Sequence, residues 1–394
     1  MKTALILAAG EGTRMHPLTI TRPKPLLPVG GKPMIRWTID LLKEAGISEI
    51  FVLVGSNEEK VREALGDEVS YVRQEKREGT ANAVGCAESV ITEPFICMNG
   101  DVVVEGSLFT QLKEFYAKKK GNIITVTQSR KPEDFGVIDI NTEGTVLDIS
   151  EKPNKPKSNY INAGVYVLEP EIFQAIKKTK KSSRGEYEIT DTLKLAASYG
   201  FVYDGFWLDV GKPWDMLDAN EFYTKKTKRE LNGEVHPNAT IEGEVSVGEG
   251  SVIRAGAYII GPVRIGKGCV IGPNCFIRPF TSLGDGVHIG SAVEIKNSII
   301  MGNTNVPHLS YVGDSIIGEN CNFGAGTNVA NLRFDDAEVK LNIKGEKESS
   351  GRRKFGCVVG DNVKTGINVS IMPGKKIGPN KLIPPLGVVD KDIE

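Results

Sequence analysis

From Ile241 an apolar side chain recurs every sixth residue: Val247, Ile253, Ile259, Ile265, Ile271, Ile277, Leu283, Ile289, Ile295 and Met301 all keep the phase. An α-helix, with about 3.6 residues per turn, cannot hold a six-residue phase over that distance, and neither can a plain two-period strand. Small or turn-forming residues often follow the marked positions, as in VGEGS, IGKGC, IGPNC and LGDGV. Each hexad therefore reads as one short strand and a turn. Three hexads per coil make a triangular parallel β-helix whose inward side chains stack at about the ~4.8 Å spacing of neighbouring strands.

Beyond Met301 the phase slips, resumes at Ile317, Phe323 and Val329, and resumes again at Val359, Thr365, Ile371, Ile377 and Ile383. Between those runs Arg333 to Lys354, with KGEKESSGRRK, is too polar to continue an apolar core. It is expected to leave the prism as a loop, where function often sits on a rigid scaffold. Ahead of the repeat the pattern is different. TALILAA, a helix-patterned Met34 to Ala45, EIFVLVG, a polar-faced Glu58 to Leu65 and EPFICMNGD alternate as strand and helix. That order predicts an α/β domain with a Rossmann-like, mostly parallel sheet and sites at the carboxyl ends of its strands. The charged TKKTKRELNGE marks the change, giving expected domains over 1–231 and 232–394.

A chain of 394 residues has ample core for two such domains. Its 49 basic and 50 acidic residues create no global field toward nucleic acid or an anionic membrane, so any anion must be met locally. The run Ala4 to Ala9 is too short for a signal-peptide core, and no apolar run approaches the ~18 residues of a membrane span. Cys86, Cys97, Cys269, Cys275, Cys321 and Cys357 form no CxxC pair, and a chain this long needs no disulfide framework. A cytoplasmic location is expected.

The stretch LILAAGEGTRMHPLTITRPKP lacks both the phosphate-binding P-loop spacing and the GxGxxG of dinucleotide folds. It still offers Gly10 and Gly12 for close backbone approach, Arg14 and Lys24 as cations, and prolines that stiffen the segment, a combination suited to a polyphosphate. The bland alternative is a turn with solvated basic residues. Taken with RPKPLLPVGGKPMI, REGTANAV, MNGD, FGVI, EKP, INAGVYVL, GEYEITD and WLDVGKP, the first ~230 residues resemble the sugar-1-phosphate nucleotidylyltransferases in motif order. The resemblance implies a magnesium-dependent reaction in which a sugar 1-phosphate attacks the α-phosphorus of UTP or dTTP and pyrophosphate leaves. It further implies that backbone at Leu7, Ala8, Ala9 and Gly10 meets base and phosphates, and that Arg14 and Lys24 neutralise phosphate charge. Gln74, Gly79 and Thr80 would read the base; Gly136, Glu151 and Asn162 would contact the sugar; Asp101 and Asp209 would bind Mg2+. Asn99 departs from the bacterial bifunctional pattern, which more often has an aromatic residue before the glycine.

Ile277 to Asn331, inside the repeat, resembles the acetyltransferase half of the bifunctional enzymes that make UDP-N-acetylglucosamine. By that resemblance Arg278 and Lys296 hold the sugar phosphate, His308 is the general base, and Tyr311, Asn322 and Asn331 orient the sugar. An imidazole suits the task of taking a proton from a glucosamine ammonium before the amine attacks a thioester. His16, His236 and His288 stand in polar, proline or regular-hexad contexts and read as structural. Leu332 and Arg333 depart from the bacterial Asn-Tyr continuation, and the polar loop is longer than in those relatives. Lys340 and Lys344 on that loop could meet phosphate or simply be solvated.

The whole chain resembles the archaeal bifunctional sugar-1-phosphate nucleotidylyltransferase and amino-sugar-1-phosphate acetyltransferase. That family implies a left-handed β-helix, acetyl-CoA as a second donor, and a homotrimer or a multiple of it. The competing reading keeps the β-helix as an oligomerisation strut behind a single nucleotidyl-transfer site.

Overall fold

The computed structural model describes residues 1–55 and 57–394. They divide into two units, Met1–Gly10 with Met34–Asp209, and Glu11–Pro33 with Val210–Glu394.

In the first unit Thr3–Leu7 pairs in parallel with both Glu49–Val54 and Phe95–Asn99, and Glu49–Val54 with Ser70–Arg73. Helices Met34–Glu44 and Glu58–Leu65 lie between these strands in sequence, as the patterning predicts, the first ending one residue short of Ala45. Met34, Ile35, Thr38, Ile39 and Leu42 form its buried stripe, while the second buries only Val61 and Leu65. The chain steps outward from Thr3–Leu7 to Ser70–Arg73 and then returns on the other side at Phe95–Asn99. The strand order therefore reverses between Leu7 and Asn99, the topological switch point where such sheets form their ligand crevice. Beyond it, Tyr160–Leu168 adds in antiparallel fashion and carries Asn122–Gln128 and Gly136–Ile140, the latter paired with Val146–Glu151. A separate short pair joins Val102–Val104 to Trp207–Asp209.

In the second unit the chain from Glu230 visits three parallel sheets in turn. Thr240 pairs with Tyr258, Tyr258 with Phe276, and Phe276 with Glu294. The spacing is 18 residues, the same as between Ser251 and Cys269 on neighbouring coils. Ile241, Ile259, Ile277, Ile295 and Val312 stack on one side; Val247, Ile265, Leu283, Ile300 and Ile317 stack on another. Nearly all sit in one continuous apolar core, each buried side chain worth about 1.5–3 kcal/mol. The arrangement is consistent with the parallel β-helix expected of the hexads.

Two details differ from the counted pattern. Leu283 pairs with Ile300 rather than Met301, so the phase slips one hexad earlier, between Ile295 and Ile300. Ile300 and Met301 are both buried, and an apolar residue at either position hides the slip from a count. The polar segment does leave the coil, since Ile317 pairs directly with Val359. It does so as an antiparallel hairpin, Lys340–Ile343 with Glu346–Ser349, not as an irregular loop. Val339, Leu341 and Ile343 are buried along it, and ion pairs Lys212–Glu348 and Arg352–Asp218 tie it to helix Pro213–Lys225 and the residue before it.

Candidate active sites

Within the first unit the nucleotide motifs gather at the carboxyl ends of the parallel strands. Leu7 O accepts from Gly100 N at 2.9 Å, and Ala8 N donates to Leu53 O at 2.9 Å, which fixes the chain at the switch point just before the exposed Gly10. Gln74 directly follows Ser70–Arg73, is 7% exposed and donates to Asn82 Oδ1 at 2.8 Å. Gly79, at φ 112°, precedes helix Thr80–Gly85, and the Thr80 hydroxyl accepts from Ile189 N at 2.9 Å. The GEYEITD motif is thereby locked beside REGTANAV.

The three sugar candidates come together from three strands. Glu151 pairs with Gly136. A methyl placed on Gly136 would meet Glu151 Oε2 at 3.0 Å and Asn162 Cβ at 3.6 Å, so the missing side chain leaves space at this point. Asn162 donates to the Tyr166 hydroxyl at 2.7 Å. Sequence reasoning missed Arg184, which lies 3.4 Å from Glu151 and 2.6 Å from the buried Glu188. Burial raises the Glu151 carboxyl above its usual range; Arg184 draws it back and Glu188 pushes it further up.

Asp101 follows the strand Phe95–Asn99, and Asp209 ends Trp207–Asp209, where it faces Val102. Asn99, the departure from the bacterial pattern, lies against Gly164. Among the described residues no three His, Cys, Asp or Glu side chains gather as a metal cage. Two carboxylates fit magnesium, which keeps several waters and takes its other oxygens from substrate phosphates.

The remaining basic candidates lie on Glu11–Pro33 in the second unit. Arg14 is exposed in the short turn Thr13–Met15. Lys24 is 7% exposed. Gly12 adopts a left-handed conformation (φ 65°), and a Cβ there would meet Lys24 Cβ and Thr19 Cγ2 at 3.1 Å. Thr19 Oγ1 closes the turn by donating to Gly12 O at 2.8 Å. Burial lowers the pKa of His16, with Lys376 and Lys344 acting in the same sense and Glu11 opposing them.

Among the stacked parallel strands of the second unit, Arg278 and Lys296 follow Ile277 and Ile295 on neighbouring coils. Arg278 pairs with Glu294 at 2.8 Å, and Lys296 with Asp314 at 3.0 Å. Asn331 donates to Asp314 Oδ2 at 2.5 Å and to the Tyr311 hydroxyl at 3.1 Å. A side chain on Gly313 would collide with both Tyr311 and Asn331, so glycine permits their approach. Asp314, 3% exposed and also bonded to Asn297 at 2.7 Å, is the centre that sequence reasoning missed. His308 is exposed at the end of Asn305–His308, beside Ser291 of the preceding coil. Asn322 pairs with Asn305 and Lys364, on the face that carries the strand of His308 rather than the strands of Lys296 and Tyr311. Lys340 and Lys344 are both exposed on the hairpin. His288 is partly buried, which lowers its pKa.

Residues 3–226 match the family model described as Nucleotidyl transferase, and residues 259–386 match that of the GMPPB C-terminal domain. The Bifunctional protein GlmU of Methanocaldococcus jannaschii is 44% identical, covering 99% of this chain and 95% of that protein. The Bifunctional sugar-1-phosphate nucleotidylyltransferase/acetyltransferase of Sulfurisphaera tokodaii is 43% identical, covering 99% and 98%. Among solved structures, UDP-glucose pyrophosphorylase complexed with UDP-glucose superposes with a TM-score of 0.53 at 29% identity, over 57% of this chain and 99% of that one. With near full-length similarity to such proteins, the chain belongs to the archaeal family of bifunctional sugar-1-phosphate nucleotidylyltransferase/acetyltransferases, the GlmU-type proteins.

Proposed function

We propose that the chain makes UDP-N-acetylglucosamine in two steps, N-acetylation of glucosamine 1-phosphate from acetyl-CoA and then uridylyl transfer from UTP with release of pyrophosphate. The acetyl step is assigned to the segment 232–394, read as a left-handed β-helix. The nucleotidyl step is assigned to 1–231.

One observation carries the acetyl-transfer half and weighs against a bare strut. Arg278, Lys296, Tyr311 and Asn331 are set on one face of stacked coils, three of them around or beside the buried Asp314. A strut needs no such polar centre. In the proposed chemistry Arg278 and Lys296 bind the phosphate, while Tyr311 and Asn331 orient the ring. His308 takes a proton from the glucosamine ammonium. The neutral amine then attacks the thioester carbonyl, the carbon–sulfur bond breaks, and coenzyme A leaves as its thiol.

In the nucleotidyl step a phosphate oxygen of the acetylated product attacks the α-phosphorus and pyrophosphate leaves in line. Backbone at Leu7 to Gly10 and the side chains of Gln74 and Thr80 hold the nucleotide. Gly136, Glu151 and Asn162 hold the sugar. Arg14 and Lys24 neutralise charge on reacting and leaving phosphates, the main requirement when both reactants are anions. Magnesium held by Asp101 and Asp209 would supply further charge neutralisation on phosphate oxygens.

The proposed assembly is a homotrimer or a multiple of it, with acetylation between neighbouring prisms. Asn322, set apart from Asn331 within one chain, suits a role facing a neighbour. No helix among the described residues is long and apolar enough to cross a membrane. The cytoplasm, which supplies UTP and acetyl-CoA, is the proposed location.

Incubation with acetyl-CoA and glucosamine 1-phosphate, followed by detection of free thiol, tests the acetyl half. No release above background would favour the strut. A panel of gluco and galacto sugar 1-phosphates, acetylated and not, with UTP and dTTP defines the nucleotidyl half through pyrophosphate release.

A further inference from the structure

The opening segment is pinned to the coils of its own unit at two points that flank Lys24. On one side Arg22 forks between two carboxylates, with Nη1 2.6 Å from Glu319 and Nη2 2.6 Å from Asp361. The Arg22 side chain is 12% exposed and that of Asp361 is 10% exposed. Thr21 Oγ1 donates to the same Asp361 oxygen at 2.6 Å, and the other Asp361 oxygen accepts from Glu319 N at 2.8 Å. On the other side Gly30 N donates to Asn220 Oδ1 at 2.8 Å. Asn220, fully buried, also donates to Phe280 O at 2.7 Å and accepts from Ser282 at 2.6 Å.

The two carboxylates are neighbours because the hairpin excursion leaves the coil. Ile317 pairs with Val359, which puts Glu319 and Asp361 at the same turn of successive coils. Two stacked carboxylates repel at one strand spacing, and a guanidinium fork that bridges both removes the repulsion with directional bonds. Lysine, a single point charge, does not match that geometry. Past Arg22 the segment spans a cleft of about 310 Å³ between Leu26, Pro28 and Gly31 on one side and Ser282, Ile299 and Met301 on the other. Leu27 and Val29 of the segment are fully buried beyond this cleft, so the ion pair at Arg22 acts together with apolar packing to hold the segment.

We propose that Arg22 is a positioning residue for nucleotidyl transfer: held by Glu319 and Asp361, it fixes the segment that carries Lys24. The inference rests on the proposed nucleotidyl role of Lys24. Arg22 itself need touch no substrate. A displacement of about 1 Å in a charge-neutralising group far from the substituted residue can cost ~100-fold in rate.

The test is steady-state pyrophosphate release by full-length R22A, R22K and D361N, with thermal midpoint and oligomer mass recorded for each. R22A and D361N are expected to lower kcat by roughly 10- to 100-fold, with KM for UTP changing less than about threefold, because the base and sugar contacts stay in place. R22K should recover part of the loss. Should R22A fail to fold, D361N, which keeps the side-chain shape, carries the test. Active wild type with kcat within twofold in folded R22A or D361N, or a loss seen only in KM, overturns the inference alone. Wild type that releases no pyrophosphate from any sugar phosphate with UTP or dTTP overturns the nucleotidyl reading, and the inference with it.

Discussion

Asp209 faces Val102 across the short antiparallel pair, so two carboxylates far apart in sequence, Asp209 and Asp101, stand one residue out of register. The expected consequence is that D101A and D209A each lower pyrophosphate release by at least ~100-fold while acetylation stays near normal. Chelation of divalent cations should reproduce the selective loss in the wild type. Near-normal pyrophosphate release by either variant in magnesium would show that its carboxylate is not a ligand.

Replacement of His308 should have the opposite selectivity. H308A is expected to lose roughly 10²- to 10⁴-fold in thiol release from acetyl-CoA, the range for removing a general base, with pyrophosphate release unchanged. D314N should weaken acetylation as well, through KM for glucosamine 1-phosphate, because Lys296 and Asn331 both rest on that carboxylate. An H308A enzyme with undiminished thiol release would remove the imidazole from the mechanism.

The raised Glu151 carboxyl makes a prediction about pH. Burial favours its protonated form, so in the folded state it holds its proton at a pH where an ordinary carboxyl, near 4.5, has already lost it. Its contribution to stability is present below that ordinary value and is lost as pH rises through the folded value. Ionised Glu151 is the form that accepts hydrogen bonds from a sugar. On acidification KM for the sugar phosphate at the nucleotidyl site should rise while ordinary carboxylates are still charged, and E151Q should remove that portion of the profile. Superimposable wild-type and E151Q profiles would argue against a sugar contact.

Thiol chemistry should follow burial. Cys97, Cys269, Cys275, Cys321 and Cys357 are buried and Cys86 is half-buried, all without disulfides. Burial pushes Cys275 and Cys357 up to about 12 and Cys321 to about 11, leaving almost no thiolate at neutral pH. A disulfide reagent should therefore titrate at most Cys86 in the native protein and all six thiols after denaturation. Rapid native modification of two or more would contradict the tight coil packing.

If the acetyl site is built between neighbouring prisms, mixing H308A chains with chains altered at Asn331 or Lys340 should regain part of the acetylation that each lacks alone. Phe334, fully exposed close to Asn331, and Leu309, beside His308, are the apolar groups a neighbour would cover. Light scattering that shows an active monomer would defeat this arrangement and leave the nucleotidyl prediction intact.

The hexad core and the strand–helix alternation were legible because each leaves a strict period in the sequence. What was illegible depends on contacts that have no period. Asp314 looks like any turn residue until Lys296, Asn297 and Asn331 converge on it. Arg22 and Asp361 meet across most of the chain, and no local pattern announces the pair. The hairpin did leave a signal, since Val339, Leu341 and Ile343 alternate with polar residues before Lys344 and Gly345, but the surrounding charge masked it.

Along most of the stacked parallel strands each coil can dock on the one just formed, because partners lie only 18 residues apart. At the hairpin the interval grows to 42, as between Ser315 and Cys357. Closing that longer loop costs only roughly 0.6–0.8 kcal/mol more, since loop entropy grows with the logarithm of length. In rate, however, it is a non-local step in an otherwise nearest-neighbour assembly, and non-local closure slows folding. Growth of the stacked coils should therefore pause after Val329, which still lies on a strand docked at the short interval, with the coils on either side zipping quickly and their junction setting the pace at which the native chain is completed.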